Sequence, residues 1–217
     1  MTGSEGLEER QASDRPRRAT GVTPFPTRPR TGAAPWTGTT MAFQIRPQRP
    51  KDSEHFDSLL DRTFGTDRLS KTVYRLREGI ADLADLRFVA VGPDGGLLAS
   101  LRFWPIAIGT APAILLGPLA VEPALQGRGI GRALVRHGLG EARRLGHRIC
   151  VVVGEPEYYG PYGFVNAPAA GLALPGPVDP RRFQVLELEA GALNGLRGLI
   201  GRANPAGDRE QRGGARA

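Results

Sequence analysis

The 217-residue chain has one cysteine, Cys150, and three histidines, His55, His137 and His147. A lone thiol excludes an internal disulfide and fits a reducing compartment. So few thiols and imidazoles leave nothing from which to build a zinc site, and no metal is expected. No Ser/His/Asp or Cys/His arrangement supports a nucleophilic mechanism. The histidines read as surface or interface residues, and Cys150, inside an apolar run, as a buried, inert thiol. An unbroken apolar run is missing too. The stretch from Trp104 to Val121 is interrupted by Pro105, Gly109, Pro112, Gly117 and Pro118, which would disrupt a membrane helix. Two buried strands joined by a turn explain it better. Residues 1–40 hold no apolar segment of the secretory kind, so no membrane partner and a cytoplasmic location are expected.

Lysine is scarce as well: Lys51 and Lys71 are the only two among 29 basic residues. Of the net charge of +7, residues 1–40 carry +2 and residues 195–217 carry +3, leaving +2 for the part between. No basic stripe interleaved with aromatics appears, so a nucleic-acid partner is not expected.

The remaining composition is that of a soluble globular protein, with 40% apolar and 24% charged residues. Residues 1–40, rich in Pro, Arg, Thr and Gly without periodicity, read as a disordered N-terminal extension. Met41, where the ordered pattern begins, is an expected alternative start. The folded domain is expected over residues 41–192, and residues 193–217 read as a disordered basic tail.

Within the domain a short strand is expected from Phe43 to Pro47. Asp52 is then placed to cap a helix carrying Phe56, Leu59, Leu60 and Phe64. A second helical region is predicted from Asp67 to Leu86, with Val73, Leu76, Ile80 and Leu83 on one face. Arg87–Val91 and Leu97–Ile108 read as strands joined by the turn Gly92-Pro93-Asp94-Gly95-Gly96. Ala113–Val121 is a third strand. Gly129–Leu145 is an amphipathic helix with Leu134, Val135, Gly138, Leu139, Ala142 and Leu145 inward, ending at Gly146. Arg148–Val153 is a near-continuous apolar run of strand length, as in a sheet covered on both faces. Phe183–Leu188 is the last strand expected. The fold class is therefore α/β, with a mixed sheet.

One stretch carries chemistry: L-L-G-P-L-A-V-E-P-A-L-Q-G-R-G-I-G-R-A-L-V, from Leu115 to Val135. A strand ends near Val121, Pro123 redirects the chain, and the loop Gln126–Gly129 opens directly into a helix. Unpaired N–H groups at such a junction, at the positive end of the helix dipole, form an anion site that glycines let phosphates approach. Arg128 and Arg132 add charge that can pair with phosphate. A plain structural turn is the alternative. The loop comes too late in the chain for a dinucleotide fingerprint, and the Lys-Ser/Thr of a phosphate-binding P-loop is missing.

Gln126-Gly127-Arg128-Gly129-Ile130-Gly131 matches the Q/R-x-x-G-x-G/A motif of the GNAT superfamily of N-acetyltransferases, which the chain therefore resembles. Leu119-Ala120-Val121-Glu122-Pro123 is similar to that family's strand before the loop, and Tyr158-Tyr159-x-x-x-Gly163-Phe164 to its Y-x-x-x-G-F segment. These motifs span residues 114–166, and their combination is also similar to a poorly characterised bacterial branch of acetyltransferases.

The resemblance implies a mostly antiparallel single-domain sheet with helices on both faces, acetyl-CoA as cosubstrate, and direct acetyl transfer to a primary amine. It implies that Leu119, Ala120 and Val121 hydrogen-bond the pantetheine arm. Gly127, Arg128, Gly129, Ile130, Gly131 and Arg132 would hold the pyrophosphate. Tyr159 would protonate the departing thiolate. The Leu119 N–H is a candidate to polarise the thioester carbonyl, because Pro118 has no N–H to give.

Here the chain departs from the family's pattern. The position of a mid-strand catalytic glutamate falls on Leu115, and that of a frequent asparagine falls on Val152. Glu122 and Glu155, at strand ends, are the remaining candidates for a base, directly or through water; a solvated turn residue is the alternative for each. The acceptor, a small molecule or a protein amine, would meet the regions 52–86 and 165–182, and the arginine-rich surroundings favour one bearing a carboxylate. A homodimer stays open. The alternative function is a catalytically weak acyl-CoA-binding sensor or interaction module.

Overall fold

The computed structural model describes residues 42–65 and 72–203. The expected N-terminal extension, the start at Met41 and residues 204–217 lie outside the described part.

Turn chemistry sets the first hairpin. Asp94 Oδ1 accepts the Gly96 N–H at 3.0 Å, and the Gly92 N–H reaches the Gly96 carbonyl at 2.9 Å. Strand β2 (Phe88–Val91) thus turns back antiparallel into β3 (Leu97–Ile108). Strand β1 (Gln44–Pro47) pairs with the other edge of β2, and β4 (Ala111–Val121) returns along β3. The single parallel join of the main path is β4 to β5 (Ile149–Val153), because helix α3 (Ile130–Arg144) carries the chain back between them. Strand β8 (Phe183–Glu187) pairs antiparallel with β5, and β6 (Val165–Asn166) lies outside it. The order β1-β2-β3-β4-β5-β8-β6 is the mixed, mostly antiparallel sheet that the sequence led us to expect.

The pleat gives the sheet two apolar faces. On one, α3 sets Ile130, Leu134, Val135, Leu139 and Ala142 against Leu101, Phe103, Ile114 and Leu116. Gly138 is inward because no side chain fits there: a Cβ would stand 2.7 Å from Phe103 Cε2. On the other face, α1 (Ser53–Phe64) packs Phe56, Leu59 and Leu60 on Ala120. Beside it, Leu76, Ile106, Leu115, Val151 and Phe183 form a separate cluster. Helices therefore cover both faces.

Four expectations are corrected. Of the helix expected over 67–86, residues 66–71 lie outside the described part, and the rest holds only α2 (Thr72–Arg75) and a 3-10 turn at Ala84–Leu86. Tertiary pairing overrides the helical pattern there: the Leu83 N–H bonds the Phe103 carbonyl of β3 at 2.9 Å, and Asp82 pairs with Arg87 and Arg102. Leu145 is exposed rather than inward, because α3 ends one residue earlier. The fold does not stop at residue 192. Strand β9 (Gly198–Arg202) pairs antiparallel with Ile106–Ile108 of β3, beyond the part that β2 covers, and parallel with β7 (Leu172–Ala173). Ile200 is fully buried there. The expected tail is thus sheet over 198–202.

Asp52, finally, makes no side-chain cap on α1. Its carboxylate takes a bidentate pair of hydrogen bonds from Arg46, at 2.6 and 2.8 Å, and accepts the Arg49 N–H at 2.6 Å. This clamp joins β1 to the entry of α1 with little solvent around it. Hydrogen bonds from Arg46 above all hold the Asp52 carboxyl below its ordinary range, against the opposing effect of burial. A depressed folded-state value means stability that is present above the unfolded value and lost as pH falls through the folded one. Asp52→Asn is expected to lower unfolding free energy at pH 7 by about 2 kcal/mol. It should also flatten the acid limb of the stability curve; urea titrations between pH 7 and pH 2 check both effects.

Candidate active site

The site begins with a fault in the sheet. Leu101 pairs with Leu119 and Phe103 with Leu116, so Gly117 and Pro118 together oppose the single residue Arg102. A two-against-one bulge bends the bulged strand. On its other side β4 pairs with β5 only at Ile114 and Leu115, opposite Cys150 and Val151. From Gly117 to Val121, β4 has β3 on one side and no strand on the other.

Backbone alternation tells which groups face that gap. The Glu122 N–H bonds the Leu98 carbonyl on β3 at 2.9 Å. Two residues earlier, Ala120 faces the same way, so Leu119 and Val121 turn their N–H and C=O groups away from β3. The Val121 carbonyl accordingly accepts from Gln126 Nε2 at 3.3 Å and Thr63 Oγ1 at 3.4 Å.

The chain leaves β4 through a 3-10 turn at Pro123–Leu125 and reaches α3 through Gln126–Gly129. Gly127 and Gly129 both have left-handed backbones, at φ 77° and 85°, a conformation in which a side chain would be strained. No backbone or side-chain acceptor among the described residues takes the N–H groups from Gly127 to Arg132, and the first bond into the helix comes from Ala133 to the Gly129 carbonyl at 3.0 Å. Loop residues 126–129 are exposed, as is Arg132. This is a cradle of free donors at the positive end of a long helix, fit for a diphosphate.

Tyr158 and Tyr159 bound the gap beyond this loop, on the short helix α4 (Pro156–Tyr159). A Cβ at Gly131 would stand 2.7 Å from the Tyr158 hydroxyl and 3.2 Å from Val121 Cγ2. Glycine at 131 therefore lets Tyr158 close down on the first turn of α3, and Arg132 lies near its ring face. Tyr159 is more deeply set. Its ring covers Gly154 at the end of β5, where a Cβ would meet Cε2 at 2.2 Å, and meets Phe164 edge-on at 5.7 Å. Burial pushes the Tyr158 phenol up to about 12 and the Tyr159 phenol higher still. Both stay protonated throughout the neutral range. The Tyr159 hydroxyl makes no hydrogen bond to a described residue, whereas that of Tyr162 donates to the Arg132 carbonyl at 3.2 Å. Sequence reasoning named Tyr159 and missed Tyr158, whose position follows only from the contact with Gly131.

The carboxylates are less free. Glu122 accepts from Arg62 through both oxygens, at 2.6 and 3.3 Å. Glu155 pairs with Arg182 at 3.1 Å, and its carbonyl accepts the N–H groups of Tyr158 and Tyr159. A base role for either would require an ion pair to open. Leu115 and Val152 are buried in opposite clusters and bring no polar atom. Cys150 is fully enclosed and its thiol is pushed up by burial, as expected for an inert group. His137 meets the edge of Phe88 and His55 is exposed. Among the described residues, no group of three or more His, Cys, Asp or Glu is placed to hold a metal ion, and no helix is long and apolar enough to cross a membrane.

Comparison with known proteins points one way. The family described as "Acetyltransferase (GNAT) family" matches residues 54–157. The uncharacterised N-acetyltransferase YhbS of Escherichia coli is 34% identical over 158 residues, covering 72% of this chain and 93% of that protein. The crystal structure of Escherichia coli YhbS in complex with CoA superposes with a TM-score of 0.66 at 32% identity, over 77% of this chain and 93% of that one. A GNAT family acetyltransferase from Brucella melitensis in complex with acetyl-CoA gives 0.52 at 30% identity, over 69% and 90%.

The Arg62–Glu122 pair spans α1 and the end of β4, and both side chains are partly exposed. Arg62→Met and Glu122→Gln are each expected to lower stability only slightly, and the double variant no more than either alone. Urea unfolding of the three variants checks this; additive losses would show that the two residues act separately.

Proposed function

This chain belongs to the GNAT acetyltransferase family, and from that premise we propose that it transfers an acetyl group from acetyl-CoA directly to a primary amine. It is an acyltransferase whose cosubstrate is acetyl-CoA. The observation that carries the reading is the run of free N–H groups from Gly127 to Arg132, set beside the gap between β4 and β5. A diphosphate fits the cradle, and an extended arm laid along β4 can pair with the outward backbone groups of Leu119 and Val121. Arg128 and Arg132 supply exposed cations for the phosphates.

Direct transfer asks three things of the protein: a donor at the thioester carbonyl, a proton for the leaving sulfur, and an amine without its own proton. The Leu119 N–H, turned away from β3, serves the first. Tyr159 serves the second. Its phenol stays protonated and its hydroxyl has no acceptor among the described residues; burial makes it a weaker acid, so donation to a thiolate depends on the hydroxyl being held against the sulfur. For the third, Glu122 and Glu155 are the carboxylates at hand, each already engaged by an arginine. A sensor that binds acyl-CoA without turnover is the second reading, favoured by those closed ion pairs and opposed by the free hydroxyl of Tyr159.

Calorimetric titration with acetyl-CoA is expected to show one site, and thiol release with a panel of amines is expected to show turnover. Heat without thiol release on any amine would select the sensor. Tyr159→Phe is expected to lower kcat by about 10²-fold or more while leaving acetyl-CoA affinity within a few-fold. Unchanged kcat would remove Tyr159 from the reaction.

A further inference from the structure

A cation with no carboxylate beside it among the described residues is buried against the bulge. Arg77, just after α2, is nine-tenths buried, and its Nη2 would stand 3.1 Å from a Cβ on Gly117. Among the described residues it forms no ion pair and its Nε has no hydrogen-bond partner. Its guanidinium carbon lies 4.8 Å from the Tyr74 ring centroid and 5.6 Å from that of Trp104. Trp104 Nε1 is likewise enclosed and unpartnered. Two strong donors thus stand together unsatisfied, although buried donors are paired almost everywhere in folded proteins. Burial pulls Arg77 down to about 10, with Tyr74 pushing back, so the guanidinium remains charged at neutral pH. A buried guanidinium supported by one phenol and two ring faces, with no carboxylate beside it among the described residues, is under-compensated, which makes this an incomplete site rather than a finished piece of core.

Its place in the fold says what would complete it. A Cβ on Gly117 would lie 3.1 Å from Arg77 Nη2 and 3.9 Å from the Leu119 nitrogen. The guanidinium and the N–H assigned to the thioester carbonyl are therefore neighbours across one residue of the bulge. The wall around Arg77 belongs to the acceptor side: Thr72 Oγ1 donates to the Pro177 carbonyl at 2.6 Å, joining α2 to the loop between β7 and β8, and Leu76, Trp104 and Val178 share one cluster.

We infer that Arg77, with Trp104 beside it, is the receptor for a carboxylate on the acceptor, so that the acceptor is a small amino acid whose amine and carboxylate are only a few bonds apart. This rests on the acetyl-transfer reading. The planar fork of arginine matches a carboxylate bidentately, and the closeness of Arg77 to Leu119 sets the short spacing. Pairing has a second effect. A free carboxylate favours the charged form of the ammonium beside it; taking that carboxylate up on Arg77 removes the support, and the amine sheds its proton more readily. The balance is simple: the amine nitrogen bonds to the acetyl carbon, the carbon–sulfur bond breaks, the sulfur takes a proton, and the nitrogen gives one up to solvent.

The test uses the full chain, acetyl-CoA, the common amino acids, and the carboxamide of each. Thiol release is expected for one or more amino acids, with kcat/KM at least tenfold lower for the matching carboxamide. Arg77→Gln should remove that discrimination, raising KM for the acid by tenfold or more while calorimetric affinity for acetyl-CoA is kept. Arg77→Lys, which keeps the charge without the fork, should fall between, and covers the case in which the glutamine variant does not fold. A merely structural role would leave the acid-to-amide ratio where it was. The inference is overturned if carboxamides react as fast as acids, if the ratio survives in Arg77→Gln, or if acids and amides are all silent while acetyl-CoA binds. Failure of acetyl-CoA to bind would overturn the acetyl-transfer reading itself.

Discussion

The structure turns on one irregularity, the bulge at Gly117 and Pro118 on β4. Without it β4 would run on beside β5 and the sheet would be closed. With it the two strands part after Leu115, and a stretch of central strand has no partner strand along one edge while remaining between two covered faces. Such a stretch is ordinarily a liability, because unpaired backbone polar groups inside a protein are costly. Here they lie between a loop of free N–H groups and a pair of tyrosines, so an extended ligand can replace the missing strand.

The charge around the gap has one sign. On the loop side, the helix dipole, Arg128 and Arg132 meet the solvent; Arg77 is buried with no carboxylate beside it among the described residues and only the Tyr74 phenol supporting its charge. The acids that could neutralise this field are spent elsewhere: Asp82 on Arg87 and Arg102, Glu122 on Arg62, Glu155 on Arg182. An arrangement of this kind suits ligands that are themselves negative at two separated points. A diphosphate would answer the exposed end, where water weakens each contact. A carboxylate would answer the buried end, where each contact is stronger and more selective.

The half of the site that we propose for the cosubstrate was legible as a strand, loop and helix start because it is continuous in the chain. Leu115 to Arg132 supplies strand, bulge, loop and helix start in one run, and each step is marked by Gly or Pro. The acceptor half that we propose is assembled from residues 72–80, Trp104 and 174–178, with Arg202 of β9 reaching back to the Arg75 carbonyl and Glu78. No local pattern announces such a meeting. Val73, Leu76, Ile80 and Leu83 kept helical spacing, yet β3 captured the Leu83 backbone and ended the helix early. Strand β9 escaped notice because two of its five residues are glycines and only Ile200 is buried. A short strand of that kind, held between β3 and β7, is specified by its partners more than by its own composition. Arg77 could not be singled out either, since one arginine among many has no sequence mark of being buried.

Protonation then divides the work between the chain and its acceptor. Burial keeps Tyr158 and Tyr159 as phenols well past neutral pH, so neither takes a proton from an amine, and either donates one only where its hydroxyl is held against the acceptor. Of the two, Tyr158 closes on the first turn of α3 at Gly131, and Tyr159 packs on Gly154 at the end of β5. The site is thus better equipped with acids than with bases. In such a site the state of the acceptor's own nitrogen governs the reaction, and whatever lowers the affinity of that nitrogen for its proton substitutes for the glutamate that Leu115 replaces. A buried guanidinium beside the bulge acts in that direction, both by opposing a second positive charge and by occupying the anion that would have stabilised it.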